Sequence, residues 1–226
     1  MARIARIVLP GYPHHVTQRG NRRQEVFFSR GDYQAYLEYI AQGCAATHTQ
    51  CWAYCLMPNH VHLVLVPQCP DGLRKSLTEA HRHYTRRINF RHGWRGHLWQ
   101  ERFHSFPMDE KHLIAAVRYV ELNPVRACLV THAGGWPWSS AQAHLRGLDD
   151  HLVQVAPMLA RIGNWEAYLQ QTDSPQGLDT LRKHTRTGRP LGNEAFIETA
   201  EKLAGRALKP ARPGPKRRPD TRGSMV

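Results

Sequence analysis

The stretch Met57-Pro58-Asn59-His60-Val61-His62-Leu63-Val64-Leu65-Val66 decides how this chain folds. Pro58-Asn59 is a turn signal, and the apolar, β-branched run after it predicts a strand over residues 60–66. Residues 49–57, rich in aromatic side chains and cysteine, predict the strand before the turn. The two form a hairpin, with the histidines opening its second arm. Successive strand residues point to opposite faces, so His60 and His62 leave one face side by side while Val61 enters the other. Two imidazoles so placed offer two nitrogen ligands to one cation. A half-exposed strand carrying two surface histidines, in a chain that holds 15, is the competing reading, and the pair alone does not choose.

Outward from the hairpin, residues 14–19 predict a short strand ended by Gly20-Asn21. Residues 29–44 have helical spacing, with Tyr33, Tyr36, Leu37 and Ile40 on one face and Ser29 or Asp32 as the cap. Asp71 caps a second helix that runs towards Phe90 and ends near Gly93; Leu73, Leu77, Ala80, Tyr84 and Ile88 form its stripe. Residues 91–107 read as an irregular basic and aromatic loop. A third helix is expected from about Asp109 to Glu121, with Leu113, Val117 and Val120 inward. Pro124 disfavours helical geometry at Asn123, so that helix ends or bends there. This order predicts an α+β fold: an antiparallel sheet with helices packed on one face.

The remainder predicts a C-terminal helical extension and a basic tail. Trp136 to Ser140 reads as a docked loop, residues 152–169 as a helix burying Val155, Leu159, Ile162 and Trp165, residues 173–192 as a polar linker, and 193–205 as a short capped helix. Residues 209–226 are rich in Pro, Gly and Arg and have the composition of a segment that does not order alone. The expected division is a catalytic domain over 1–147, an extension and linker over 148–208, and the tail over 209–226.

Composition narrows the function. The 226 residues carry a formal net charge of +13; a solvated basic face is one reading, but an excess this large argues for a polyanionic partner. A membrane surface is the competing polyanion, but no apolar stretch approaches the length that spans a bilayer. Residues 1–9 are too short and too charged for a signal peptide, so a cytoplasmic protein is expected. Five cysteines (Cys44, Cys51, Cys55, Cys69, Cys128) form no paired Cys-x-x-Cys arrangement and are expected to be reduced.

The second informative segment is Arg118-Tyr119-Val120-Glu121-Leu122-Asn123-Pro124-Val125-Arg126-Ala127. Tyr119 lies off the apolar stripe of its helix and points sideways. Asn123, four residues on, shares its face if helical geometry persists. A tyrosine hydroxyl beside a divalent cation can act as a nucleophile. Its free pKa of about 10 means that the proton must leave during attack, aided by a base or by positive charge. A helix tyrosine that packs its ring and wets its hydroxyl is the alternative.

Met57 to His62 together with Tyr119 to Ala127 resembles the REP-associated tyrosine transposases, within the wider group of single-strand transposases and HUH endonucleases. His14 to Arg23, Leu98 to Phe103 and Gly188 to Gly192 also resemble signatures of that family. The resemblance implies a ferredoxin-like sheet with the tyrosine on a neighbouring helix. It implies that His60 and His62 bind a divalent cation, Mg2+ or Mn2+, and that Asn123 is a third polar ligand, although Pro124 tilts against this. Imidazole suits transition metals better than magnesium, so Mn2+ is expected to bind more tightly. The resemblance also implies that Tyr119 attacks a phosphodiester in single-stranded DNA beside a palindromic hairpin, giving a 5′-phosphotyrosine link and a free 3′-hydroxyl. No ATP is then required, in keeping with the lack of a Gly-x-x-x-x-Gly-Lys-[Ser/Thr] loop. The family implies a monomer or a homodimer.

Candidate DNA contacts are Arg19, Asn21, Arg22 and Arg23 after the first strand, and Arg95, Trp99, Arg102, Phe103 and His104 in the basic aromatic loop. Guanidinium contacts and ring stacking hold single strands in this way; a solvated basic loop with structural tryptophans is the alternative. Lys216, Arg217 and Arg218 either add salt-sensitive phosphate contacts or simply solubilise the tail. Two other functions compete: a catalytically silent single-strand nucleic-acid-binding module, and a metal nuclease using activated water.

Overall fold

The computed structural model describes residues 5–172 and 174–209. Four strands, β1 (His14–Arg19), β2 (Gln50–Met57), β3 (His60–Val66) and β4 (His104–Pro107), form one antiparallel sheet in the order β2-β3-β1-β4. Helix α1 (Arg30–Ala46) links β1 to β2, and α2 (Gly72–His92) links β3 to β4. This is the βαββαβ connectivity of ferredoxin-like folds, so the α+β expectation holds.

Both faces of β2 and β3 are buried apart from their first residues. The sheet therefore needs two covering layers. On one face Val16, Leu56, Val61, Leu63 and Leu65 meet the stripes of α1 and α2. These two helices approach so closely that a Cβ on Gly43 would lie 2.4 Å from the Ser76 carbonyl oxygen. The expectation of helices on one face describes this layer only. The other face, with Val64, Val66 and Phe106, is covered by Leu113, Ala116, Val117 and Val120 of α3 (Glu110–Glu121). Trp165 and Tyr168 of α7 (Trp165–Gln170) and Leu181 of α8 (Pro175–Thr187) complete that layer. The short helices α4 (Asn123–Arg126), α5 (Ala141–Arg146) and α6 (Ala156–Leu159) and the capped α9 (Glu194–Ala204) complete the chain order.

Three expectations need correction. The loop expected over 91–107 ends in β4, an edge strand of four residues, too short for alternation to announce it and closed by Pro107. The single helix expected over 152–169 is two short ones, α6 and α7, because Asn164 turns out of the helix and caps α7 by accepting from the Ala167 N–H. The polar linker expected over 173–192 contains the 13-residue helix α8. Ser174 caps it and Pro175 fills its first turn, which together are a helix-start signal. The Gly188–Gly192 segment then runs beside the sheet, with the Leu191 N–H bonded to the Pro107 carbonyl and the Asp109 N–H to the Leu191 carbonyl.

Candidate active site

β3 pairs with β1 so that Thr17 sits opposite His62 and Arg19 opposite His60. Period-two alternation puts His15, Thr17 and Arg19 on the same face as the histidine pair. The rings of His60 and His62 lie 4.9 Å apart, nearly perpendicular. His60 Nδ1 is 2.6 Å from Asn59 Oδ1, an acceptor when that nitrogen carries the proton. His62 Nδ1 is 2.9 Å from His15 Nε2, with the two rings stacked. Among the described residues no hydrogen bond engages Nε2 of His60 or His62. Burial is the largest cause that lowers their basicity, bringing His60 to about 4 and His62 well below its ordinary value, with nearby Arg19 adding to both. Both imidazoles are therefore neutral at pH 7 and hold lone pairs for a ligand. His15, itself lowered to about 3 by burial, is a site residue that sequence reading used only as part of a signature. Its position four and two residues before Arg19 and Thr17 on an alternating strand was the available signal.

Helix α3 brings Tyr119 to this face. Its ring stands edge-on to His62 at 5.6 Å and to His15 at 6.1 Å. The Arg126 guanidinium lies 4.4 Å over the Tyr119 ring and donates to the Tyr119 carbonyl. As expected, α3 stops before Pro124: Leu122 leaves helical geometry and α4 begins at Asn123. The end of α3 is pinned by Glu121, which is fully buried and accepts hydrogen bonds from Ser140 Oγ at 2.6 Å, His144 at 2.6 Å and Trp165 Nε1 at 2.9 Å. Nothing in the local sequence distinguishes this glutamate from a surface one.

A cavity of about 930 Å³ opens over these groups, lined by His60, His62, Tyr119, Thr17, Gln18 and Arg19. Its far wall is α8, which contributes Arg182, Lys183 and Arg186; Arg182 is paired with Asp179 at 3.1 Å. These cations were hidden in the expected linker. Of the other expected contacts, Arg19 and His104 line this cavity, with His104 Nε2 2.7 Å from Glu101. Asn21, Arg22 and Arg23 form a single 3-10 turn whose two arginines are exposed in left-handed geometry. That turn starts from Gly20, where a Cβ would sit 2.3 Å from the Gln24 carbonyl oxygen. Arg95 and Arg102 are exposed on the loop before β4. Trp99 and Phe103 are buried, which corrects their place as open stacking rings: Trp99 packs on His81, Tyr36 and Tyr84, and Phe103 lies under Arg6. Asn123 does not line the cavity, and among the described residues its enclosed Nδ2 has no hydrogen-bond partner. Lys216, Arg217 and Arg218 fall outside the described residues.

The donor chemistry suits a divalent cation: two neutral imidazoles, each with Nδ1 already engaged and Nε2 left over. Among the described residues no group of three or more His, Cys, Asp or Glu could hold a metal, so the remaining coordination would come from outside that set.

Residues 10–123 match the family model of IS200-like transposases, about half of the chain. This chain belongs to the IS200-like transposase family. The matched span runs through both histidines and Tyr119. A solved REP-associated tyrosine transposase bound to a REP hairpin has the same fold, with a TM-score of 0.53 and 22% identity over 69% of this chain and 93% of that one. A transposase candidate from Deinococcus radiodurans R1 matches with a TM-score of 0.37 and 20% identity, over 53% of this chain and 96% of that one. No curated protein matches this chain. Among its described residues no helix is long and apolar enough to cross a membrane.

Proposed function

We propose that this transposase cleaves and rejoins single-stranded DNA at palindromic repeat hairpins in the cytoplasm, through a 5′-phosphotyrosine link at Tyr119. The observation that carries this reading is the Tyr119 ring 5.6 Å from the His62 ring, in one chain and at one cavity. The Tyr119 oxygen attacks the phosphorus and loses its proton. The bond from phosphorus to the 3′ oxygen breaks, and that oxygen leaves as a protonated 3′-hydroxyl. Attack of a 3′-hydroxyl on the tyrosyl phosphate reverses the step, so no external energy is consumed. His60 and His62 would hold Mg2+ or Mn2+, which supplies positive charge at the phosphate oxygens.

The chain's own groups do the positioning. Arg126 holds the phenol ring by a cation–π contact and a bond to its carbonyl. His15 and Asn59 orient the two imidazoles. Arg19 and the α8 cations line the cavity where a phosphate backbone would run. Because Tyr119 meets the histidines of its own chain, one chain furnishes both halves of the site, which favours a working monomer over a dimer that exchanges helices.

Hairpin oligonucleotides labelled at the 5′ or 3′ end, incubated with Mn2+ and run on denaturing gels, test this. A protein-linked strand joined through its 5′ phosphate is expected, absent in Tyr119→Phe, which still binds the DNA. Clean cutting by Tyr119→Phe would replace this reading with hydrolysis by activated water.

A further inference from the structure

The departing 3′ oxygen needs a proton, and in the reading above His60 and His62 are committed to the cation. A third histidine lines the same cavity from the edge of the sheet. His104 opens β4 and pairs with Thr17, which on its other side pairs with His62. Directly paired strand residues project from the same face, so His62, Thr17 and His104 cross the catalytic face in one row. The ends of that row are two strand spacings apart, about 10 Å. Tyr119 stands over the His62 end, its ring 5.6 Å from that imidazole. An in-line displacement sets nucleophile, phosphorus, leaving oxygen and proton donor in sequence, with about 8 Å between the first and the last. The row is long enough to hold a scissile phosphate between Tyr119 and His104.

His104 Nε2 lies 2.7 Å from Glu101 Oε1. With the Nε2 proton donated to that carboxylate, Nδ1 is the nitrogen that exchanges protons. The carboxylate holds the ring in one tautomer and balances its charge while it is protonated. The Gln18 amide donates to the Glu101 carbonyl at 2.7 Å, which steadies the backbone that carries the carboxylate. The other charged groups lining the cavity serve less well. Arg19, Arg182 and Arg186 do not release their protons, and Asp179 is paired with Arg182 at 3.1 Å; Lys183, on α8, is the rival donor. We infer that His104 and Glu101 form the acid–base couple for the 3′ oxygen, a role that rests on the tyrosine reading above. In cleavage the Tyr119 oxygen bonds to phosphorus and its proton passes to water. The bond from phosphorus to the 3′ oxygen breaks, and that oxygen takes the Nδ1 proton of the His104 imidazolium, leaving a neutral ring. In rejoining, His104 takes the proton back from the attacking 3′-hydroxyl, and the released tyrosyl oxygen is protonated by water.

Replacing the bridging 3′ oxygen of the scissile linkage by sulfur tests this, because a thiolate leaves without needing a proton. The full chain with Mn2+ is given hairpin oligonucleotides carrying oxygen or sulfur at that position, and the rate of protein–DNA adduct formation is measured. Both side chains of the pair are partly exposed, so their substitution leaves the core intact. His104→Ala is expected to slow the oxygen strand about 100-fold or more and to match the wild type within a few-fold on the sulfur strand. Glu101→Gln should show the same pattern with a smaller loss. Lys183→Met should slow both strands alike, as the loss of a phosphate contact would. Equal slowing of both strands by His104→Ala, or none on the oxygen strand, would overturn the role of His104 and leave the tyrosine intermediate in place. Sulfur rescue confined to Lys183→Met would do the same and give the role to Lys183. A wild-type chain that forms no tyrosyl adduct with either strand would overturn both readings.

Discussion

Glu121 offers the most quantitative test of how the site is built. Its carboxylate accepts from Ser140, His144 and Trp165, all inside the protein. Glu121→Ala removes the acceptor for all three. Ser140 has a second acceptor in the Tyr54 carbonyl at 3.3 Å, so its hydroxyl can turn and recover part of the loss. The His144 ring and the Trp165 indole are left as unsatisfied donors at about 1–3 kcal/mol each, and the vacated space adds to this. A total of about 4 kcal/mol is expected, which for a chain of this size lowers Tm by roughly 10 °C. Glu121→Gln should behave differently. Its amide NH2 can face Ser140 Oγ and His144 Nδ1, with the imidazole proton moved to Nε2, while its carbonyl keeps the Trp165 bond. Among the described residues His144 Nε2 has no hydrogen-bond partner, so the tautomer change breaks no bond between them, and about 1 kcal/mol is expected. Urea unfolding followed by tryptophan fluorescence measures both. Tyr119 lies two residues away, about 200° around the helix, so Glu121→Gln should still form the DNA adduct. Equal destabilisation by Ala and Gln would refute the hydrogen-bond account, as would a Glu121→Ala cost below 1 kcal/mol.

His15→Phe keeps a ring beside Phe106 but removes the nitrogen that orients His62; Mn2+ affinity, followed by electron paramagnetic resonance, should fall about 10–100-fold, and unchanged affinity would remove His15 from the site. Asp32 sets a pH dependence. Burial alone would raise its carboxyl, but bonds from Arg91, the Phe28 N–H and Ser29 hold it below the usual value. Its contribution is therefore complete above the unfolded pKa of about 3.9 and is lost as pH falls through the lower folded value. Asp32→Asn should cost stability at pH 7 and little at pH 2, so parallel unfolding curves at both pH values would contradict it.

The sequence by itself determined the parts governed by near neighbours. The Pro58-Asn59 turn and the alternation after it placed β3 over residues 60–66 and set both histidines on one face. Asp109 capped α3, and Pro124 ended it. Local pattern misjudged the elements whose stability comes from elsewhere. β4 exists because β1 offers it an edge to pair with, and α8 holds its place by sinking Leu181 into the second core. The same holds for side chains: Trp99 and Phe103 share a basic loop with exposed arginines, and only packing against α2 and Arg6 takes their rings out of solvent. Tertiary structure alone decided that Tyr119 stands beside His62, that His15 holds that imidazole, and that α8 walls the cavity. Turns, caps and alternation follow from bonds a few residues long, whereas the convergence of groups on one cavity depends on how both faces of the sheet are covered, a property that no short window of sequence contains.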